Sequence, residues 1–173
     1  MSRRDHPGRG GFTLIETMLA SAMTTVVMAS AWGLFLTYQA AHHDLGARVD
    51  ATRMASMALS RMVYGVGSTN IGLRAAKNVV RTTNADGWEL AVEDGAGRAA
   101  GVFSYVASAS NLCYAPPGGT GAVGFARSIA AASATIQTNQ VVLSVRVDLR
   151  RGRFSASQQL DTAVRFRNWK GGT

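Results

Sequence analysis

Residues 8–36 read GRGGFTLIETMLASAMTTVVMASAWGLFL, and this stretch decides how the chain is organised. From Phe12 to Leu36 the only formal charge is that of Glu16. As an α-helix with a rise of about 1.5 Å per residue, the segment is roughly 37 Å long, whereas the hydrocarbon core of a bilayer is about 30 Å thick. The sequence therefore predicts a transmembrane helix over residues 12–36.

The residues at the start of this segment carry a family resemblance. A basic leader with three arginines precedes Gly11, and Gly11-Phe12-Thr13-Leu14-Ile15-Glu16 is similar to the processing site of type IV prepilins and type II secretion pseudopilins. The resemblance implies that a prepilin peptidase removes residues 1–11 by cutting after Gly11 and then methylates the new amino terminus at Phe12. An ordinary secretory signal is instead cut after its apolar region. Here the apolar helix is expected to remain in the mature protein.

Glu16 is a carboxylate in an otherwise apolar segment. A charge at the centre of a membrane helix costs about 2.5 kcal/mol or more on insertion scales, so it should have a partner or a task. The resemblance implies that Glu16 neutralises the amino terminus of a neighbouring subunit during filament assembly. The alternative is a hydrated side chain in the headgroup region.

Length and charge set limits on the part of the chain beyond the helix. The chain has 173 residues and a net charge of +8, which falls to +6 once the leader is removed. The remainder is long enough for one small domain. Its basic surface suits acidic partner subunits, anionic lipid or nucleic acid. Cys113 is the only cysteine, which excludes an intrachain disulfide, and it is expected to be buried and inert.

Residues 37–66 are predicted to continue the helix in amphipathic form. An apolar stripe recurs at helical spacing while most charged residues lie off it. The members of this stripe are Leu45, Val49, Thr52, Leu59, Val63 and Val66.

Residues 67–173 are predicted to form a globular antiparallel β domain. After a loop and a weakly helical segment around 71–77, short strands separated by turns are expected at 78–83, 88–92, 102–107 and 111–114. The Pro- and Gly-rich residues 116–121 predict an exposed loop. Residues 122–139 are left open, with a short helix or an edge strand at 128–134.

The last third has the clearest pattern. Apolar residues alternate with polar ones over 141–149 and again over 160–166, which indicates two half-buried strands joined by a turn at 150–152. Their apolar face needs a cover, and the amphipathic half of the helix is the candidate. The predicted fold class is α+β and type IV pilin-like, with the long helix packed on an antiparallel sheet.

The sequence favours neither catalysis nor metal binding. It contains no phosphate-binding loop, nucleophile elbow or paired acids on a recognisable scaffold. His42 and His43 are adjacent on the helix and point in different directions, and no Cys or acidic cluster has ligand spacing. We predict a protein that is not an enzyme and has no metal or cofactor.

The cations near the carboxyl end are the second candidate site. They fall on the two final strands and beyond, so that several can share one outward face. A solvated face that prevents edge-to-edge association is the simpler interpretation, and a partner-binding face is the alternative. The residues are Arg146, Arg150, Arg151, Arg153, Arg165, Arg167 and Lys170.

Together these features predict a minor pilin or pseudopilin, most similar to minor pilins of the W class or J-type pseudopilins. The resemblance implies a single-pass protein of the bacterial inner membrane with its carboxyl-terminal domain in the periplasm. Its implied partners are other pilin subunits, the prepilin peptidase and an inner-membrane assembly platform. The alternatives are a DNA-uptake subunit that binds nucleic acid through the basic strands, and a membrane-anchored binding module that does not polymerise.

Overall fold

The computed structural model describes residues 12–67, 72–119, 121–152 and 154–167. The chain divides into two compact units after His42. Within these described residues, one long helix, α1 (Leu14–Tyr64), is followed by a short 3₁₀ helix (Leu73–Ala75) and eight strands. The strands are β1 (Asn78–Asn84), β2 (Gly87–Glu93), β3 (Ala99–Val106), β4 (Asn111–Ala115), β5 (Val123–Ala126), β6 (Ile129–Gln137), β7 (Gln140–Arg151) and β8 (Phe154–Arg165).

The helix ends two residues earlier than predicted. Gly65 follows it with a φ of 107° and donates its N–H to the Arg61 carbonyl. A positive φ is costly for residues with a Cβ, so a glycine after the last turn is a common helix terminator. Val66 therefore lies beyond the helix.

The buried face of α1 within the second unit differs from the predicted stripe. Leu45 and Val49 are 62% and 65% exposed and Thr52 is exposed as well, so the prediction that they face the core was wrong. Leu59, another member of the stripe, is buried as predicted. Small residues with four-residue spacing allow the close approach of a sheet, and a row of alanines provides this face. The buried residues are Ala47, Ala51, Ala55, Ala58, Leu59 and Met62.

Strands β1 to β5 form an antiparallel meander in sequence order, here called the first sheet. The predicted turn at residues 84–87 joins β1 to β2, with Asn84 paired to Gly87. Gly87 has a φ of 147°, and a Cβ at this position would overlap the Tyr105 carbonyl oxygen on β3. Glycine is required here by both the backbone conformation and the neighbouring strand.

Strands β6 to β8 form a second antiparallel sheet, whereas the sequence predicted a single sheet. Ser128 lies between β5 and β6 with a φ of 61°, and this bend takes the chain from one sheet to the other. The open question at residues 128–134 is resolved as an edge strand, since among the described strands β6 pairs only with β7. The alternation predicted for β7 is confirmed: Val141, Leu143, Val145 and Val147 are all buried.

Both sheets and the alanine face of α1 contribute to one hydrophobic core. Two aromatic side chains of the first sheet also hydrogen-bond to the second. The Trp88 indole N–H donates to the Ala132 carbonyl at 2.8 Å, and the Tyr105 hydroxyl lies 3.2 Å from the Ala130 carbonyl. The coarse prediction of a long apolar helix followed by antiparallel β structure is confirmed.

Candidate functional site

The first turn of α1 is closed by a reciprocal pair of residues. Thr13 precedes the helix, and its backbone N–H and hydroxyl lie 2.9 Å and 3.0 Å from Glu16 Oε2. In return, the Glu16 N–H points at the Thr13 hydroxyl oxygen at 3.4 Å. This is a capping box, which satisfies backbone donors that the first turn leaves without partners. The pattern Thr-x-x-Glu before an apolar run could have revealed it in the sequence.

The side chains of the apolar segment are exposed in the chain by itself. Phe12, Leu14 and Ile15 are 85%, 81% and 75% exposed, and the same holds for the large apolar residues that follow as far as Leu36. Helix α1 is long and apolar enough to span a membrane. So much apolar surface on one element requires a cover of lipid or of other helices.

The hydroxyl groups in this segment are satisfied within the helix. Each donates to a carbonyl three or four residues earlier, at 2.7–2.8 Å, and the donors are Thr17, Ser21, Thr24, Thr25 and Ser30. Hydroxyls without partners would be costly in hydrocarbon, where water is absent. Their internal bonds make this segment compatible with an apolar surrounding despite its Ser and Thr content.

Glu16 is the one charged side chain between Phe12 and Leu36. Both hydrogen bonds that its carboxylate accepts within the described residues go to Oε2. A carboxylate has about four acceptor positions on its two oxygens, so Glu16 can accept further bonds from a second group while it caps the helix. Phe12 lies at the start of the same turn, and the predicted leader, including Gly11, lies outside the described residues.

The predicted basic face is only partly a cluster. Arg165 lies opposite Gln140 in the register of β7 and β8, which puts it on the same face as Arg146 and Arg150. At about 3.3 Å per residue, however, Arg165 is roughly 20 Å from Arg146 along the strands. Arg153 and Lys170 lie outside the described residues, as does the side chain of Arg151.

Acidic residues interrupt the same face. Asp148 Oδ1 lies 3.8 Å from Arg146 Nε, and Asp161 lies opposite Ser144 between the two ends of the face. A phosphate backbone laid along these strands would meet carboxylates as well as guanidinium groups. The described part of this face therefore does not favour nucleic acid.

Two members of the predicted basic face, Arg165 and Arg167, converge with Arg74 at the end of β8. An open groove of about 850 Å³ is lined by Tyr64, Arg74, Arg165 and Arg167 together with neighbouring apolar and uncharged polar side chains. We call the groove around these four residues the arginine groove. The Arg74 guanidinium lies 5.8 Å from the centre of the Tyr64 ring. The sequence indicated Arg165 and Arg167 but not Tyr64 or Arg74, because only the tertiary fold brings these separate segments together.

Cys113 is less buried than predicted. It is half-buried on β4 between Leu112 and Tyr114, whose side chains are buried on the opposite face of the strand. Alternation along β4 explains the difference, because neighbouring residues of a strand face opposite sides of the sheet.

Comparisons with protein-family models, curated protein sequences and solved structures gave no match.

Proposed function

We propose that the chain is a subunit of a prepilin-type filament, held in the bacterial inner membrane by α1 and then assembled into a type IV pilus or a type II secretion pseudopilus. The observation that carries the proposal is an exposed apolar helix with a single carboxylate in its first turn. Such a helix can be buried first in the membrane and later among the helices of a filament. Lipid covers it before assembly, and neighbouring helices cover it in the filament.

The charge of the leader supports the orientation. Arg3, Arg4 and Arg9 precede the apolar segment, and positive flanks are retained on the cytoplasmic side of the membrane. The carboxyl-terminal domain is then in the periplasm, and the bond between Gly11 and Phe12 is on the cytoplasmic side.

Cleavage and the role of Glu16 are linked by charge. A cut after Gly11 creates an ammonium group at Phe12, which is poorly solvated at the edge of the hydrocarbon region. A carboxylate with acceptor positions to spare can pair with the ammonium of an adjacent subunit, and this pairing relieves the desolvation of both groups. An unprocessed chain has no charge at Phe12, so cleavage must precede assembly.

The remaining features suit a minor subunit, similar to the W-class pilins or J-type pseudopilins. The single cysteine excludes the intrachain disulfide that closes a loop near the carboxyl end of many major type IV pilins. Other subunits, the prepilin peptidase and the assembly platform are the proposed partners.

The test is incorporation into filaments. Wild type, Glu16→Ala and Thr17→Ala are expressed in cells that make filaments, which are sheared off and compared with the membrane pool. Thr17 is the matched control, since it lies in the same region but its hydroxyl donates to the Leu14 carbonyl of its own helix. We expect all three chains in the membrane pool and a loss of about tenfold or more from the filaments for Glu16→Ala alone. Equal incorporation of Glu16→Ala and wild type would contradict the proposed docking role.

A further inference from the structure

The outer edge of β8 has no partner strand in the part of the chain that the structure describes. The order of the second sheet is β6-β7-β8, so β7 pairs with only one side of β8. At 12 residues, β8 is one of the two longest strands. A long unpaired edge presents a row of backbone donors and acceptors to which another extended chain can add.

The direction of these backbone groups follows from two hydrogen bonds. The Phe166 N–H donates to the Asn139 carbonyl, beside β7, and the Arg167 N–H donates to the Arg74 carbonyl on the other side. Because backbone groups alternate in direction along a strand, the N–H groups of Asp161, Ala163 and Arg165 point away from β7. We call this row the open edge.

The open edge runs into the arginine groove. Thr162 to Arg167 line the groove together with Tyr64 and Arg74. Its lining contains three arginines and no acidic residue. Within the described residues none of the three arginines forms a salt bridge. The adjoining segments 68–71 and 168–173, which lie outside the described residues, contain no Asp or Glu in the sequence. Within the described residues, the positive charge of the groove therefore has no acidic partner.

We propose that the open edge and the arginine groove bind an extended, acidic segment of a partner protein by strand addition. Main-chain hydrogen bonds to Asp161, Ala163 and Arg165 hold the segment in register, and its carboxylates pair with the arginines at the end of the strand, beyond the Asp161 carboxylate. A nucleic acid is the less suitable occupant, because its backbone has no alternating N–H and C=O groups to match the edge. This inference goes beyond filament assembly and does not depend on Glu16.

The experiment uses the full chain in detergent micelles and a fluorescent ten-residue peptide in which glutamate alternates with valine. Two further probes are the same peptide with lysine in place of glutamate and a ten-nucleotide thymidine strand. Fluorescence anisotropy gives the affinity. Amide hydrogen exchange, followed by NMR, reports on individual backbone groups.

Two pairs of variants test the backbone hydrogen bonds of the open edge separately from the charge of the arginine groove. Ala163→Pro removes one outward N–H, which edge strands tolerate, whereas Ala163→Val keeps it. Arg165→Glu reverses one charge of the groove, whereas Arg81→Glu reverses an exposed charge on β1, the edge strand of the first sheet. Circular dichroism and thermal unfolding confirm that each variant is folded.

We expect saturable binding of the acidic peptide and slower exchange at Asp161, Ala163 and Arg165 when it is bound. Ala163→Pro and Arg165→Glu should each weaken binding by about tenfold, the loss of one good hydrogen bond or charge pair. Ala163→Val and Arg81→Glu should change it by less than about twofold.

Three results would each overturn the proposal. One is the absence of saturable binding of the acidic peptide below about 1 mM, the weak end of the affinity scale. The second is undiminished binding by a folded Ala163→Pro variant, which would exclude strand addition. The third is tighter binding of the thymidine strand or of the lysine peptide than of the acidic peptide.

Discussion

Thr13 and Glu16 share a hydrogen-bonded capping box at the amino end of helix α1, with the Thr13 N–H 2.9 Å from Glu16 Oε2. Glu16 therefore has a structural task within its own chain before any neighbour is present. The proposed filament function gives it a second task, which depends on charge and not only on an acceptor oxygen. The two tasks can be separated by substitution.

The first prediction separates charge from capping. Glu16→Gln keeps a side-chain oxygen that can close a capping box but removes the charge. If pairing with an ammonium group drives docking, Glu16→Gln should be lost from filaments as severely as Glu16→Ala, by about tenfold or more. Thr13→Val, which weakens the cap and keeps the carboxylate, should be incorporated nearly as wild type. Normal incorporation of Glu16→Gln would show instead that capping is the main role of this residue.

The second prediction tests which face of α1 meets the sheets. Ala51 is completely buried, and leucine has a similar helix propensity, so Ala51→Leu should act through overpacking alone. We expect it to lower the free energy of unfolding by about 1–3 kcal/mol. Val49→Ala, at a residue that is 65% exposed, should change that free energy by less than about 0.5 kcal/mol. Chemical denaturation of the full chain in micelles measures both free energies. A larger loss of stability for Val49→Ala than for Ala51→Leu would contradict the assignment of the alanine face to the core.

The third prediction concerns acid stability. The Asp94 carboxylate accepts hydrogen bonds from the backbone N–H of Arg98 and Ala96 and from Arg98 Nε, at 2.8–3.1 Å. The backbone bond from Arg98 is the main reason that the pKa of Asp94 lies below its usual value of 3.8. A lowered pKa in the folded state contributes stability that is present above the unfolded pKa and lost as the pH falls through the folded value.

Asp94→Asn should therefore lower the melting temperature at pH 7, and the difference from wild type should shrink as the pH falls below about 4. Thermal unfolding of both proteins between pH 7 and pH 2 checks this. A constant difference across that range would show that charge on Asp94 does not contribute.

The extent to which the fold can be predicted from the sequence depends on how local each signal is. The alternation in Val141 to Val147 is local, and the strand appeared where it was predicted. The alanine face of α1 was missed because alanine carries a weak hydropathy signal, although its small size is what a close-packed sheet requires. The division into two sheets rests on the backbone of Ser128, a residue type with no strong preference for a positive φ.

The candidate sites show the same contrast. Glu16 could be recognised from the sequence because it is a single charge within an apolar run. The arginine groove could not be recognised in this way, because Arg74 and Arg165 are far apart in sequence and meet only when β8 packs beside the 3₁₀ helix. Their register and convergence are properties of the folded chain.

The fourth prediction concerns processing. Gly11 is small enough to allow close approach of a membrane-embedded protease, so Gly11→Val should leave the precursor uncut. Gly10→Val, one residue earlier and outside the matched position, is the control and should still be processed. Immunoblots of membranes from cells with and without the prepilin peptidase distinguish the precursor from the mature form. Cleavage of Gly11→Val at the wild-type level would contradict this requirement.

The most direct test of the account is the mass of the chain recovered from cells that contain the peptidase. A filament subunit of this kind requires that residues 1–11 be removed and that the remaining chain begin at Phe12 with a methylated amino group. We predict that intact-mass spectrometry will find this species, and that only the full-length chain will be found in cells without the peptidase. An uncut chain in the presence of the peptidase, or a terminus at any residue other than Phe12, would contradict the proposed function.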